Sequence, residues 1–546
     1  MEKDIKALIE HAVKGLGAGE VVVEVEIPKD ESFGDIATPV AMGLAKTLKK
    51  PPRKIAEEIV SLLGTSEVFE RIDIAGPGFI NLTFSKTYLY SGLTNILSKE
   101  KTFLRKTLGK GKRIQIEFVS ANPTGPLHLG HGRGAAVGAA LSNLLEAAGY
   151  SIEREYYVND AGRQVKVLGH SVFAKYQQLL GIEYPFPEDG YRGHYVEEIA
   201  RKMLDRYGKK FSETGFQEVS GIFVDFSYRE MLAEIEHDLR DFGIVFDTWQ
   251  SERDLYAKND VENAIDDLRR RRHLYEEEGA LWFRATKFGD DKDRVIVKSD
   301  GEYTYFASDI AYHRKKIEMK FSEIIDIWGA DHHGYIARLK AVIQALGYPP
   351  DHLRVMLVQM VTLLRGGKPV QMSKRAGEFV TLREVIEEVG ADTTKFIFLT
   401  RRPDSHLEFD LEAAKAQSAE NPVFYVQYAN ARINSIFAKA KEKGIAVGEP
   451  EGIDFSHLVE SEELRIIKKL LTYPVAFEGA VLSHEPHRIT FYLQELAGLF
   501  HPYYNKYRVI TDDDEITRAR LGLCEAVRIV LRDGLEILGL TAPEKM

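Results

Sequence analysis

Cysteine is almost missing: Cys524 is the only one in 546 residues. One thiol excludes an internal disulfide and any zinc site built from several cysteines. It points to a reducing compartment, the cytosol. Long apolar runs are missing too, and none approaches the roughly 20 residues needed to cross a bilayer. The N-terminal MEKDIKALIEHAVKGLG has no apolar core of a secretion signal. Its Ile5, Leu8, Ile9 and Val13 fall at helical spacing, so an amphipathic helix is expected there. There is no internal repeat and no low-complexity tail. Positive charge is in deficit: the formal net charge is −10, which alone argues against a nucleic-acid binder. Charge acts locally, however, within a Debye length of ~8–10 Å. Basic stretches lie at 46–54, 106–113, 269–273 and 313–316. Each reads as a solvated face or as part of a strip that holds RNA.

With 44% hydrophobic and 29% charged residues, the chain has the composition of a folded protein. Its length implies several domains, since one core rarely grows past roughly 250–300 residues. Residues 1–108 make a first unit of mixed α+β pattern. It has helical periodicity near 1–15 and 35–63 and strand-like pieces at 21–27 (VVVEVEI) and 78–84 (GFINLTF). A basic link, 107–113, leads into residues 109–404. There an apolar strand over 114–120 is followed by a loop, a small-residue helix over 132–149 and a strand over 152–160. That grammar belongs to a parallel α/β sheet. Further α/β signals lie at 323–330 and 354–364. After about residue 405 strand patterns vanish. Leu464, Ile467, Leu470 and Leu471 share one helical face, Ile489, Leu493, Leu496 and Phe500 another, and Val527, Val530, Leu531 and Leu538 a third. Residues 405–546 are expected to form a helical bundle.

The loop after the strand over 114–120 carries the chemistry. ANPTGPLHLGHGRG spans residues 121–134. At the carboxyl end of a parallel strand, beside a helix N-terminus, such a loop faces ligand. Gly130, Gly132 and Gly134 allow close backbone approach, the helix end favours an anion, and His128 and His131 can donate to phosphate oxygens. HLGH resembles the His-x-Gly-His signature of class I aminoacyl-tRNA synthetases. QMSKRAGEF (371–379) resembles their second signature, Lys-Met-Ser-Lys-Ser, with Gln371 for the first lysine and Arg375 for the last serine. The resemblance implies a Rossmann-like catalytic domain that attaches an amino acid to the α-phosphate of ATP. His128, Gly130 and His131 would hold ATP together with Met372, Ser373 and Lys374. The catalytic groups implied are His128, His131 and Lys374, with Lys368 as a further cation.

Four longer blocks resemble arginyl-tRNA synthetases of the bacterial type: IEFVSANPTGPLHLGH (116–131), DGEYTYFASDIAYHRKK (300–316), WGADHHGYIARLKA (328–341) and NPVFYVQYANARI (421–433). The resemblance runs over essentially the whole chain. It implies Glu117 and Asp309 as carboxylates for a guanidinium, with Tyr305 as a flat wall and Ser120, Asn122 and His128 at the amino-acid end. Asp331 or His332 would add a polar contact. A guanidinium offers a planar fork of donors, which fixed carboxylates pair bidentately. From the residues alone, Glu117 is equally a strand carboxylate paired with a structural arginine, and Asp309 equally a helix cap. Some members of the family carry a lysine just before the two histidines; here that position is Gly125, so Lys374 is the expected source of charge.

The resemblance also implies a tRNA partner. Tyr425, Tyr428 and Arg432, at i, i+3 and i+7, would meet anticodon-loop bases, with Met546 near them. Phe79 and Asn81 of the add-on domain would touch the outer corner of tRNA. The implied substrates are L-arginine, ATP with magnesium, and tRNA for arginine. No permanently bound cofactor, metal site or membrane contact is expected, and the protein is expected to be a cytoplasmic monomer that needs tRNA to activate arginine. The rivals are another class I synthetase, a small-molecule nucleotidyltransferase and a non-catalytic tRNA-binding paralogue.

Overall fold

Five short strands make the centre of residues 109–416: β1 (Arg113–Glu117), β2 (Ser151–Val158), β3 (Thr248–Ser251), β4 (Glu323–Gly329) and β5 (Leu353–Val358). All pairings are parallel, in the order β5-β4-β1-β2-β3. A sheet covered on both faces needs near-continuous apolar strands; Ile114, Ile116, Ile324, Ile325 and Leu353 meet that need at 0 or 1% exposure. The chain runs outward from β1 through β2 and β3, then returns to lay β4 on the other edge of β1. Such a reversal opens a crevice at the carboxyl ends of the strands.

Helix α1 (Leu129–Ala147) crosses from β1 to β2, and α2 (Tyr305–Glu318) leads into β4. The glycines of α1 bring it onto the sheet: a Cβ on Gly138 would stand 2.2 Å from the Phe118 ring. The strand expected over 114–120 stops at Glu117, and the helix expected from 132 starts at Leu129. Helices Arg163–Leu179, His194–Tyr207 and Phe216–Asp241 stand between β2 and β3 around Phe173, Tyr176, Phe211 and Phe223. An antiparallel sheet of Leu274–Glu277, Ala280–Phe283 and Arg294–Val297 precedes α2. The stretch 354–364 is two strands, β5 and Val361–Arg365. The second pairs with Leu407–Asp410. Strands therefore continue past 405, contrary to expectation. Leu407 and Phe409, at 3 and 0% exposure, are the inward positions of a strand too short to show periodicity.

The computed structural model describes the chain except residues 1, 20, 29, 65, 371–379, 419 and 447, and except the side chains of 2–4 and 31. Its described residues divide into two compact units, one of 109–416, the other of 1–108 with 417–546. In the second unit the N-terminal segment forms an antiparallel sheet ordered Ile36–Thr38, Phe79–Phe84, Phe69–Ala75. The helix expected over 35–63 is broken into that first strand and the helices Val40–Leu48 and Pro52–Leu63. Pro51 and Pro52 cannot continue a helix, and Lys49 ends it with φ of 51°. VVVEVEI is no strand: Glu26 alone bridges to Ala37, and Val22 is 86% exposed.

The C-terminal segment is the expected bundle, with helices Pro422–Glu442, Ser461–Leu471, Tyr473–Ser483, His487–Lys506 and Asp514–Ile537. Ile489, Leu493, Leu496 and Phe500 are fully buried, as are Val527, Val530 and Leu531. Helix Lys86–Lys99 docks on the bundle, where a Cβ on Gly92 would lie 2.5 Å from Leu471. Burial pushes the Cys524 thiol up to about 12, so the single cysteine is packing rather than chemistry. Among the described residues no helix is long and apolar enough to cross a membrane.

Candidate active site

The crevice begins with strained backbone. Directly after β1, Val119 and Ser120 take φ of 70° and 39°. Left-handed conformation in a β-branched residue is disfavoured and persists where surrounding structure imposes it, commonly at functional sites. The bend returns the Ser120 hydroxyl to β1, where it donates to Glu117 Oε1 at 2.8 Å. The Tyr157 N–H in turn donates to Ser120 Oγ at 3.1 Å. Asn122 is exposed and donates to Gln164 Oε1 at 2.7 Å.

His128 caps α1. Its Nδ1 accepts the Gly130 N–H at 3.1 Å, and His131 Nδ1 accepts the His128 N–H at 3.3 Å. The two rings stack at 3.7 Å between centroids. A neutral imidazole that accepts at Nδ1 carries its proton on Nε2. Both rings are thereby fixed as Nε2–H donors at the positive end of a helix. That is an anion-binding arrangement. The glycines divide by role: a Cβ on Gly132 would stand 2.6 Å from Leu382, so that position serves packing, while a Cβ on Gly134 would meet nothing within 4 Å.

The second signature, with Met372, Ser373 and Lys374, lies outside the described residues. Its flanks are described. Lys368 is exposed on the short strand Lys368–Pro369. Beyond the signature, Leu382 N–H donates to Leu127 O at 2.7 Å, and Thr381 bridges to His128. Thr381 caps helix Leu382–Val389 reciprocally with Glu384. The segment leaving the second signature is thus stitched to the first. Arg133, in the second turn of α1, adds a clamp. Fully buried, it donates to the carbonyls of Gln359, Ser405 and Arg402 at 2.9, 2.8 and 2.9 Å. Desolvation lowers its guanidinium to about 10.

Glu117 is 6% exposed. Besides Ser120, its carboxylate takes Lys316 Nζ at 2.5 Å and the Tyr312 hydroxyl at 2.9 Å, both on Oε2. The structural cation beside it is a lysine, not the arginine the sequence left open. A carboxylate offers about four acceptor sites, so room for one further donor remains. Asp309 stands one helical turn beyond Tyr305 on α2, half-buried. Among the described residues no hydrogen bond reaches its carboxyl. Burial pushes it up to about 6, with Glu252 and Glu117 adding to the rise and His313 and Arg338 opposing it. Tyr305 is 64% exposed. Asp331 and His332 follow β4 on an exposed turn, 3.7 Å from each other.

In the other unit, Tyr425, Tyr428 and Arg432 are half-buried on helix Pro422–Glu442. The Arg432 guanidinium lies 4.5 Å from the Tyr428 ring and 4.8 Å from that of Tyr504. It is 3.0 Å from His501 Nδ1. His501 Nε2–H donates to the Tyr425 carbonyl at 2.9 Å, and the two rings lie 4.3 Å apart. Met546 is 51% exposed. Phe79 is half-buried and Asn81, at 5% exposure, is interior to its sheet. Asn81 sits on the middle strand of that sheet, in register with Ala37 and Asp73.

Sequence reasoning missed Arg133, Glu155, Tyr312, Lys316 and His501. Tyr312 and Lys316 were accessible, since Asp309, Tyr312 and Lys316 fall at i, i+3 and i+7 of one helix face. Arg133 and His501 carry no local signal, because their partners are distant in sequence.

Three family models match the chain. One described as the N-terminal domain of arginyl tRNA synthetase matches residues 3–84, one as the class I (R) tRNA synthetase catalytic domain matches 92–437, and one as the DALR anticodon binding domain matches 426–546. An arginine–tRNA ligase of Geobacter sp. is 50% identical over 557 residues, covering 100% of each chain. That of Geobacillus thermodenitrificans is 48% identical over 554 residues, covering 100% of this chain and 99% of its own. Among solved structures, a putative arginyl-tRNA synthetase from Campylobacter jejuni superposes with a TM-score of 0.78 at 35% identity, covering 85% of this chain and 100% of its own. The Thermus thermophilus arginyl-tRNA synthetase, at 23% identity, shares the fold with a TM-score of 0.79 over 100% of both chains.

Proposed function

Over its whole length the chain belongs to the class I arginyl-tRNA synthetases, and from that premise we propose how its own residues divide the reaction. It is an arginine–tRNA ligase that uses ATP. In the first step the carboxylate of arginine attacks the α-phosphate of ATP, giving arginyl-adenylate and pyrophosphate. In the second, the 3′ end of the tRNA attacks the adenylate carbonyl and AMP leaves.

Arginine binds with its guanidinium between Asp309 and Glu117, against the Tyr305 ring, and with its amino-acid end near Ser120, Asn122 and His128. The observation that carries this reading is Asp309: a half-buried carboxyl that no hydrogen bond reaches among the described residues, one turn from an exposed tyrosine. Burying an ionisable group without a partner is unfavourable, and a planar cation removes the penalty. Asp331 and His332 extend the polar rim. The Nε2–H groups of His128 and His131, with the N-terminus of α1 at Gly130, hold the ATP phosphates where negative charge grows in the transition state. Met372, Ser373 and Lys374 belong to that machinery by sequence, Lys374 neutralising the departing pyrophosphate. Magnesium enters with ATP as part of the substrate.

On the RNA side, Tyr428 and Arg432 offer a ring and a guanidinium for anticodon bases, with Tyr425 and Met546 beside them. Phe79 and Asn81 offer a second contact in the add-on segment. A catalytic segment that ends near 416 rather than 404, because Leu407–Asp410 pairs with Val361–Arg365, between an add-on segment of 1–108 and a helical segment that follows it, with a monomeric state and a cytoplasmic site, completes the proposal. The test is pyrophosphate exchange into ATP. Exchange is expected with arginine and only when tRNA is present. Exchange driven by another amino acid would contradict the pocket assignment, and exchange without tRNA would contradict the requirement for it.

A further inference from the structure

Three carboxyl groups stand abreast beneath α2. The register aligns Asp326 of β4 with Glu117 of β1, and Glu117 with Glu155 of β2. Neighbouring strands lie about 4.8 Å apart, so the three acids form a row. Asp326, Glu117 and Glu155 are 0, 6 and 3% exposed. The cations of α2 serve the row unevenly. Lys316 Nζ reaches Asp326 at 2.8 Å and Glu117 at 2.5 Å, and His313 Nε2 is 3.0 Å from Asp326. Lys315 is turned toward Gln250 on β3. Among the described residues no cation stands within ion-pair distance of Glu155. Gln115 Nε2 donates to its Oε2 at 2.7 Å, and the Tyr312 hydroxyl contacts its Oε1.

That hydroxyl also contacts Glu117 Oε2 at 2.9 Å. A phenol has one proton to donate, so it can serve only one of two carboxyls. The other contact requires a proton on the carboxyl. Glu117 already accepts from Lys316 and Ser120, whereas among the described residues no cation is in ion-pair contact with Glu155. The count puts the proton on Glu155, which donates to Tyr312, which donates to Glu117.

We propose that Glu155 is the proton-holding residue of the arginine pocket: it is protonated while the pocket is empty and releases that proton to solvent when a guanidinium arrives at Glu117 and Asp309. The proposal rests on the pocket assignment above and makes Glu155 a positioning residue, acting through Tyr312 and Glu117. Burial pushes its carboxyl up to about 7, with Lys316 and Tyr312 pulling it down and Glu117 and Glu153 pushing it further up. The proton is therefore exchangeable near neutrality. Tyr312, raised by burial and by the surrounding carboxylates, keeps its own proton and turns it to Glu155 after release. A bound cation favours the ionised acid, so by linkage arginine binds more tightly as pH rises through 7.

The test is titration of the full-length protein with L-arginine by calorimetry at pH 7.0, in two buffers of different ionisation heat. The wild type is expected to release a measurable fraction of one proton per arginine bound, since a group near 7 still holds part of its proton there. Asp309, near 6, contributes little there. Glu155→Gln, whose amide mimics the protonated acid, is expected to cut the release at least in half and to flatten the pH dependence of the arginine KM between pH 6 and 8. No release by the wild type overturns the proposal even if the variant fails to fold, and so does undiminished release by the variant. Failure of the pocket assignment is distinct: Asp309→Asn would then bind arginine as tightly as the wild type.

Discussion

Replacing Asp309 by Asn keeps the shape of the side chain and removes its charge. In the proposed pocket that carboxylate receives charge-assisted hydrogen bonds from the substrate guanidinium. Each is worth about 1.5–3 kcal/mol, so the arginine KM should rise roughly 10- to 150-fold at 1.4 kcal/mol per decade. The same change acts on stability with the opposite sign. Burial raises the Asp309 carboxyl from 3.8 to about 6. An acid raised in the folded state binds its proton more tightly there than in the unfolded chain. Stability is therefore lost as pH rises through that window, and the loss is complete above about 6. A rise of that size is worth about 3 kcal/mol at most; partial exposure reduces this to roughly 1–2 kcal/mol. The variant should be more resistant to urea at pH 7.5, with an advantage that narrows as pH falls toward 5. Arginine KM by aminoacylation, paired with urea midpoints at both pH values, checks both signs. A variant with unchanged KM and unchanged midpoint would refute the reasoning, because Asp309 would then be neither desolvated nor bound to substrate.

Lys374→Ala should lower kcat for pyrophosphate exchange by about 10²-fold, the scale of one preorganised charge in a transition state, while arginine binding by calorimetry stays intact. Arg133→Met should leave the carbonyls of Gln359, Arg402 and Ser405 without their donor and cost about 3–5 kcal/mol in urea unfolding. Tyr428→Ala should raise the KM for tRNA roughly tenfold, the scale of a lost base stack of ~1–3 kcal/mol, with exchange at saturating tRNA preserved.

The parts of the molecule legible in the sequence are those whose partners are local or whose pattern is long. The parallel sheet declared itself through short apolar runs, and the bundle through faces such as Ile489, Leu493, Leu496 and Phe500. Segments ruled by distant partners were misread. VVVEVEI has strand composition, yet it finds one bridge to Ala37. LEFD at 407–410 reads as nothing, yet it pairs with Val361–Arg365. At the site, the motif supplied His128 and His131, but not their tautomers, which depend on backbone donors from Gly130 and His128. Glu117 was visible as a lone acid on a strand. Its place in a row with Asp326 and Glu155 needed the register of three strands separated by up to about 200 residues.

The central claim is that buried carboxylates read the charge of the substrate. L-citrulline has nearly the shape of arginine, with a neutral urea in place of the guanidinium. The decisive measurement is kcat/KM for attachment of citrulline and of arginine to the same tRNA. Two lost charge-assisted hydrogen bonds predict a preference for arginine of about 10²–10⁴, shrinking in Asp309→Asn. Comparable attachment of the two by the wild type would contradict the account.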